Sequence, residues 1–263
     1  MSIREFIGLN ATSDPDVWDL PVERAICGGR DSIFGGVALG AAIEVAEART
    51  GRPATWSTCQ FLRPAHVGQT VRLRIEVSAQ GRAVSHTRVI GVADGKEVFI
   101  SLVSVGERDF PATGVWATKP DVPGPEGLPS RYILASNKGG FREQIDERAV
   151  TDDPNGIMRT PDGRCALWIT MPGGIPACAG ALALIGDEVS TGTSAVMEPD
   201  MQAPSIDNTL RIVQPAQCDW VLADVELRAA ARGFAHGIVN LWSPTGQLLG
   251  IATQTGALRL RGT

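Results

Sequence analysis

Hydrophobic and polar residues alternate along six stretches of the chain, three in each half. In the first half these stretches are TVRLRIEVSA, AVSHTRVIGVA and KEVFISLVSV, which follow one another from Thr70. In the second half they are WVLADVELRAA, FAHGIVNLWS and QLLGIATQTG, from Trp220. A period of two is typical of strands with one buried face, and the Asp-Gly pair at Asp94 marks a tight hairpin turn. Each half therefore predicts an antiparallel β-meander.

The two meanders belong to an internal repeat. The segment from Phe61 and the segment from Arg211 share a proline, Pro64 against Pro215, and a glycine-containing turn between their last two strands. The period is about 150 residues, which is far longer than the units of solenoid proteins. A duplicated domain is the natural interpretation.

One apolar, helix-like stretch precedes each meander. The first is FGGVALGAAIEVAEARTG and the second is IPACAGALALIGDEVSTG. Each is long enough for about four turns and ends at a glycine, Gly51 or Gly192, as helices often do. Because both stretches are apolar nearly all round, we expect two long buried helices.

A long buried helix wrapped by an antiparallel β-sheet, present twice, is the double hotdog architecture of the α+β class. We therefore predict an N-terminal hotdog over residues 1–108, a Pro/Gly-rich linker over 109–140, and a C-terminal hotdog over 141–263. The prolines and glycines of ERDFPATGVWATKPDVPGPEGLPS disfavour regular structure in the linker. The two sheets would join into one continuous antiparallel layer.

Composition is that of an ordinary globular protein, with 43% hydrophobic and 20% charged residues among 263. A net charge of −5 without a Lys/Arg cluster argues against a nucleic-acid partner. The first twenty residues contain no signal-peptide core, and no stretch has the ~18 apolar residues that span a bilayer, so we expect a cytoplasmic protein. The five cysteines are scattered without a CxxC pair, which argues against a disulfide framework and a zinc site.

Several motifs stand in a fixed order along the chain. They are IFGGVALGAA, FLRP and ADGKEVFISLVS in the first half, and ALALIGDEVSTG, PSIDNTLRIVQP and ATQTGALR in the second. From Ile33 to the C-terminus, the chain thereby resembles the type II acyl-CoA thioesterases of the TesB kind. The resemblance implies hydrolysis of a fatty acyl-CoA to the free acid and CoA, without a cofactor or a metal ion. It also implies a homodimer or a larger homo-oligomer.

That family uses an Asp, a Thr or Ser, and a Gln to hold and polarise the water that attacks the thioester. Residue by residue, the resemblance places these roles on Asp187, Ser205 and Gln254. Two departures stand out: Ser205 replaces the more usual Thr, and TWSTCQ, before FLRP, has no histidine where relatives often have one. The set is chemically sensible, because a carboxylate in an apolar helix can accept a proton while hydroxyl and amide groups direct the water.

The internal repeat offers a comparison within the chain. Counted back from the matching prolines, Ser205 aligns with Ala54, and at the same offset Gln254 aligns with Val103. Polar side chains thus stand in the second half where the first half has apolar ones. This contrast favours one active centre per chain, in the second half.

Each candidate also has a structural interpretation. Gln254 can bond sheet backbone. Asp187, which maps near Ala46 or Glu44 in the first half, can pair locally near its helix end. Glu44 is a rival carboxylate, more typical of a solvated or paired helix residue. The three histidines, His66, His86 and His236, lie in predicted strands or turns, as structural residues often do.

Glycines and one arginine are the candidate substrate contacts. Gly35 and Gly36, or Gly173 and Gly174, would let backbone and substrate approach closely, and N–H groups at a helix start would serve an oxyanion. Arg63 would meet a CoA phosphate or form a structural ion pair.

Two rival functions remain open. An acyl-CoA-binding protein that has lost turnover would keep the fold and release no thiol. A hotdog hydratase or dehydratase needs a catalytic histidine with Asp or Glu in a distinctive motif, and none of the three histidines stands in one. Hydrolysis therefore ranks above hydration, and thiol release separates it from binding alone.

Overall fold

The structure is a computed structural model that describes residues 1–197 and 201–260. Within these ranges the α-helices are α1 (Ile3–Ile7), α2 (Gly35–Thr50), α3 (Ala179–Ile185) and α4 (Val189–Val196). The strands are β1 (Asn10–Ala11), β2 (Val17–Pro21), β3 (Ala54–Phe61), β4 (Thr70–Gln80), β5 (Val84–Ala93), β6 (Lys96–Gly106), β7 (Asp146–Ala149), β8 (Arg164–Thr170), β9 (Met201–Gln202), β10 (Ser205–Ile212), β11 (Val221–Ala231), β12 (Phe234–Trp242), β13 (Leu248–Ala257) and β14 (Arg259–Leu260). Short 3-10 turns lie at Arg24–Ile26, Gly29–Asp31, Ala135–Asn137, Phe141–Glu143 and Pro172–Gly174.

Most of these strands form one antiparallel sheet, in the order β1-β2-β4-β5-β6-β3-β10-β13-β12-β11-β8-β7. The two halves meet at its centre, where β3 pairs with β10 from Trp56 opposite Arg211 to Gln60 opposite Asp207. Counted outward from this junction, corresponding strands of the two halves follow in the same order. The predicted continuous antiparallel layer is confirmed.

The alternation of residue types predicted the meander strands closely. TVRLRIEVSA lies in β4, where Val71, Leu73 and Ile75 are buried and the arginines between them are exposed. The predicted hairpin turn is also present, because Asp94 and Gly95 both have left-handed backbone angles, with φ of 48° and 73°. Two consecutive residues with positive φ are typical of the type I′ turn that joins twisted strands.

Helix α2 is the predicted first helix. It ends at Gly51, whose φ of 67° is that of a left-handed C-cap. Its residues from Gly36 to Ala46 are buried, and it packs against β3, β5 and β6. None of the helices in the described ranges is both long and apolar enough to cross a membrane.

The prediction of a second long helix is wrong. That stretch forms two short helices, α3 and α4, separated by residues 186–188, and α4 continues through Gly192 instead of ending there. In a continuous helix, the Val189 N–H would donate to the carbonyl of Ile185. Here it donates to Gln254 Oε1 of β13 at 2.9 Å. The Gln254 side chain thus replaces one helical hydrogen bond and stabilises the break between α3 and α4.

One long helix across an antiparallel sheet fits a hotdog fold, and in the second half α3 and α4 together occupy the place of the long helix. Helices α2 and α3 lie close together at Gly40. A Cβ added there would lie only 2.5 Å from Leu184 Cδ1. The domain boundaries at residues 108 and 140 stay a prediction. The last of those predicted domains includes residues 198–200 and 261–263, which lie outside the described ranges.

Part of the predicted linker covers the outer face of the sheet in the second half. Trp168 and Trp242 belong to an apolar cluster separate from the main core, and Val122 and Leu128 pack against it. The Trp168 indole Nε1 donates to the carbonyl of Pro123 at 2.8 Å. The segment is irregular in structure but is held against the sheet by apolar contact and by this hydrogen bond.

Candidate active site

Side chains from three separate elements converge on one buried carboxylate. Asp187 lies in the break between α3 and α4, Ser205 begins β10, and Gln254 lies in β13. Asp187 Oδ1 accepts hydrogen bonds from Gln254 Nε2 and from Ser205 Oγ, the latter at 3.2 Å. Its Oδ2 accepts the Gly36 N–H at 2.6 Å. Asp187 and Gln254 are 67 positions apart in sequence, so only the tertiary fold brings them together.

Both ends of the Gln254 amide are bonded. Nε2 donates to Asp187, and Oε1 accepts the Val189 N–H at 2.9 Å. These partners fix the orientation of the amide, because an ionised carboxylate only accepts and a backbone N–H only donates. Gln254 therefore links Asp187 to the first N–H of α4. The Gln254 side chain is only 4% exposed, and these two bonds give each end of its amide a partner.

The start of α2 forms another wall of the site and has glycine at two close contacts. A Cβ on Gly35 would lie 2.7 Å from Asp187 Oδ2 and 3.0 Å from the Phe61 ring. A Cβ on Gly36 would lie 2.8 Å from Leu184 Cα. These distances are well inside the ~3.5 Å of ordinary van der Waals contact. In this structure the Gly36 N–H holds Asp187 rather than an oxyanion.

The other predicted substrate contacts make no hydrogen bond to the Asp187 cluster in the described part of the chain. Gly173 and Gly174 form a turn before α3, and a Cβ on Gly173 would meet Met1. Arg63 is exposed, and its Nη1 donates to the carbonyl of Glu97 at 2.9 Å. Their roles toward substrate stay predictions.

Burial raises the pKa of Asp187 above the ordinary value for aspartate, because a charged carboxylate is poorly solvated in the core. The hydrogen bonds from Gln254 and Gly36 oppose this rise. Glu188 raises the pKa of Asp187 further by its charge, and Arg142 lowers it. The net effect is a raised pKa for Asp187. A general base is most effective when its pKa lies near the working pH, so this shift favours the role.

A buried ionic cluster next to this carboxylate is a feature that sequence reasoning missed. Arg142 Nη1 bridges the carboxylates of Glu147 and Glu188, and Arg131 Nη1 reaches the same two groups at 3.2 and 3.3 Å. Burial alone would raise the pKa of Glu188, but Arg142 and Arg131 outweigh it and lower that pKa. The cluster anchors the residue directly after Asp187 and stabilises the helix break. The one signal in the sequence was Glu188 itself, a second carboxylate in an apolar stretch.

Asn208 is another polar residue near the site that sequence reasoning missed. It lies opposite Gln254 of β13 and opposite Cys59 of β3, with an exposed fraction of 0%. Across the described residues, neither its Oδ1 nor its Nδ2 has a hydrogen-bond partner. The alternation in SIDNTLRI could have placed it, because Asn208 is buried on the same face of β10 as Leu210.

The first half has different side chains at the corresponding positions. Val103, a buried core residue, stands where the second half has Gln254, and Ala54 begins β3 at the place of the hydroxyl. The rival carboxylate Glu44 is buried and bonded to Arg4 at 2.7 Å, as expected of a paired helix residue. The three histidines are exposed. Among the described residues, the set of carboxylate, hydroxyl and amide occurs in the second half.

Two protein-family models match the chain. The acyl-CoA thioesterase N-terminal domain matches residues 23–106, and the acyl-CoA thioesterase C-terminal domain matches residues 117–258. The chain belongs to the acyl-CoA thioesterase family. All three members of the converging cluster, Asp187, Ser205 and Gln254, fall within the region matched to the C-terminal thioesterase domain.

Solved structures agree with membership of the thioesterase family. A candidate thioesterase from Novosphingobium aromaticivorans has a TM-score of 0.85 at 29% identity, over 95% of this chain and 98% of its own. The acyl-CoA thioesterase II TesB2 from Mycobacterium marinum has a TM-score of 0.78 at 20% identity, over 99% of each chain. A hot dog protein of unknown function from Alicyclobacillus acidocaldarius has a TM-score of 0.83 at 17% identity, over 98% of this chain and 97% of its own. The latter two show the fold alone. No curated protein sequence matches the chain.

Proposed function

We propose that the chain hydrolyses fatty acyl-CoA thioesters to the free acid and CoA, with Asp187 as the general base. The observation that carries this proposal is a buried carboxylate held in place by Gln254, Ser205 and the Gly36 N–H. An ionised carboxylate has about four lone-pair positions. Three are used by these donors, so capacity for one further donor remains, and we assign it to the attacking water.

In the proposed reaction, the water oxygen attacks the thioester carbonyl carbon while Asp187 takes one proton from the water. The tetrahedral intermediate then collapses, the C–S bond breaks, and CoA leaves as the thiolate. The proton on Asp187 passes to that thiolate, which restores the carboxylate for the next turnover. Ser205 and Gln254 exchange no proton; they hold the carboxylate and direct the water.

The substrate contacts belong to the same proposal. Glycine at positions 35 and 36 keeps the start of α2 close to Asp187 and leaves no side chain between the helix and an approaching thioester. A guanidinium has five N–H donors, and the Glu97 carbonyl takes one of those of Arg63. The remaining donors of this exposed group suit a CoA phosphate.

Thiol release from a series of acyl-CoAs of different chain lengths tests the proposal. We expect saturable release of CoA thiol by the wild-type protein on at least one chain length. Asp187→Asn, which keeps the shape of the side chain but removes the base, should release it about 10²–10⁴-fold more slowly. No release by the wild-type protein at any chain length would contradict the proposal.

A catalytically silent acyl-CoA-binding protein is the second candidate function. The observation that favours it is Ser205, whose side chain is less restricted in rotamer than the threonine more usual in the family. Calorimetric binding of acyl-CoA without thiol release would support this candidate. A hydratase or dehydratase has less support, because all three histidines are exposed.

Assembly into a homodimer or a larger homo-oligomer, and a cytoplasmic location, are part of the proposal. The outermost strands of the sheet are short, with 2 residues in β1 and 4 in β7, so little strand edge needs cover. The dimer therefore rests on the resemblance to relatives that pair. Light scattering at micromolar concentration tests it, and a single species at the chain mass of 27.8 kDa would contradict it.

A further inference from the structure

We propose that Asn208 is a further catalytic residue, whose amide Nδ2 donates a hydrogen bond to the thioester carbonyl oxygen and to the oxyanion that forms there. This inference rests on the proposed function, because it names a contact made by the same acyl-CoA substrate. It follows from the position of Asn208 in the sheet, from the absence of protein partners for its amide in the described part of the chain, and from the other donors of the site.

Asn208 lies in the middle of a row of side chains across the centre of the sheet. β10 runs between β3 and β13, and Asn208 stands opposite Cys59 on one side and Gln254 on the other. All three side chains are buried. Directly opposed residues in an antiparallel pair have Cβ atoms about 4.5–5.5 Å apart. The Asn208 amide is therefore a direct neighbour of the amide that holds Asp187.

The bonding of Asn208 differs from that of its neighbours. Gln254 uses both ends of its amide, and Ser57, the first-half counterpart of Asn208, bonds to Ser101 at 3.1 Å. In Asn208 both the donor and the acceptor lack a partner among the described residues, although the side chain is fully buried. A buried polar group left unpaired costs about 1–3 kcal/mol. Such a side chain is expected where a ligand supplies the partner.

Three other donors around Asp187 already have an acceptor, which favours the Asn208 amide as the partner of the carbonyl oxygen. The Gly36 N–H and the Ser205 hydroxyl donate to Asp187, and the Val189 N–H donates to Gln254. Attack by a water on Asp187 places negative charge on the carbonyl oxygen, and that oxygen needs a donor fixed beforehand. A neutral amide in the same row of the sheet supplies one.

Cys59, the other neighbour of Asn208, supports this assignment. Burial raises the pKa of the Cys59 thiol well above its usual range, and the carboxylates of Asp187 and Asp207 add to the rise. The thiol therefore stays neutral and does not compete with water as a nucleophile. Within the row Cys59, Asn208 and Gln254, Asn208 is the residue whose amide donor has no hydrogen-bond partner in the described ranges.

Kinetics of Asn208→Leu give the first test, with Ser57→Ala as the control at the corresponding position of the other half. Loss of one oxyanion donor lowers kcat by about 10²–10³-fold, so Asn208→Leu should show that loss with little change in KM. Its thermal stability should be equal or higher, because an apolar side chain replaces an unpaired amide. Ser57→Ala should keep kcat. A stable Asn208→Leu with wild-type kcat would overturn the proposal, and Asn208→Ala serves the same test if the leucine does not fit.

A second measurement separates this proposal from that of hydrolysis. Isotope-edited infrared spectra of a thioester labelled with ¹³C at its carbonyl, bound to Asp187→Asn, report the hydrogen bond to the carbonyl oxygen without turnover. The carbonyl band should lie at lower frequency with Asn208 present than in Asp187→Asn combined with Asn208→Leu. An Asn208-dependent shift in a protein whose wild type releases no thiol would refute hydrolysis and keep the Asn208 contact. Equal frequencies, or no binding of the labelled acyl-CoA, would overturn the contact.

Discussion

Gly35→Ala is the sharpest perturbation of the site that does not alter a polar group. The added methyl carbon would lie 2.7 Å from Asp187 Oδ2 and 3.0 Å from Phe61 Cζ. Relief of both contacts requires shifts of roughly 0.5–1 Å, since ordinary contact is about 3.5 Å. The same Oδ2 accepts the Gly36 N–H at 2.6 Å, so a shift of this size weakens the bond that fixes the carboxylate.

The magnitude follows from two opposing effects. Loss of a hydrogen bond to a charged group costs about 1.5–3 kcal/mol, whereas alanine is favoured over glycine in a helix by up to about 1 kcal/mol. We therefore expect Gly35→Ala to lower the free energy of unfolding by roughly 1–2 kcal/mol. A misplacement of about 1 Å at a reacting group can lower turnover about 10²-fold, and we expect a loss of that order in kcat.

Thiol release and urea unfolding of Gly35→Ala check this prediction, with Gly40→Ala as the matched control. Gly40 lies in the same helix, but its added methyl would meet Leu184 Cδ1 at 2.5 Å and the Gly180 carbonyl oxygen at 3.0 Å. The control should therefore lose stability and keep the kcat of its folded fraction. A folded Gly35→Ala with unchanged kcat would refute the view that the start of α2 positions Asp187.

Three further predictions concern the neighbours of the carboxylate and its ionisation. Ser205→Thr should keep or raise kcat, because it keeps the hydroxyl and stiffens its rotamer, whereas Ser205→Ala should lower kcat in the same thiol-release assay. Because the pKa of Asp187 is raised and its ionised form is the base, kcat/KM should increase with pH, with a midpoint above the ordinary range for aspartate; a flat profile through that region would contradict this. Arg142→Met should lower the free energy of unfolding by up to about 3–5 kcal/mol, because it removes the cation that bridges two buried glutamates and leaves Arg131 alone to face both. In the same urea titration, Arg148→Met, which breaks a partly exposed pair with Asp146, should change it by less than about 1 kcal/mol.

The strands were predictable because their information is local. Alternation in TVRLRIEVSA gives the buried face of β4 directly, and the Asp-Gly pair gives the turn after β5. Resemblance to a family indicated Asp187, Ser205 and Gln254, and the repeat set Ser205 and Gln254 against apolar counterparts in the first half. In the structure, the Gln254 amide bonds the Asp187 carboxylate at one end and the Val189 N–H at the other.

The helix break was not predictable from the stretch that contains it. ALALIGDEVSTG has two glycines, Gly186 at the break and Gly192 inside α4, and a single glycine costs no more than about 1 kcal/mol. The break depends on Gln254, which lies 65 positions after Val189 in sequence and takes its N–H. Arg142 is a similar case, since its partner Glu188 is 46 positions away. Both contacts join segments that are distant in sequence, so the local pattern does not identify the partners.

A double-mutant cycle on Asp187 and Gln254 tests the central claim, that both residues act on a single water. The measurement is kcat/KM for thiol release from one acyl-CoA by the wild-type protein, Asp187→Asn, Gln254→Ala and the double variant. Asp187→Asn should lose about 10²–10⁴-fold and Gln254→Ala less. The double variant should lose little more than Asp187→Asn alone, because groups that act as one unit are non-additive. A double variant whose loss equals the product of the single losses, or an Asp187→Asn with full activity, would contradict the account.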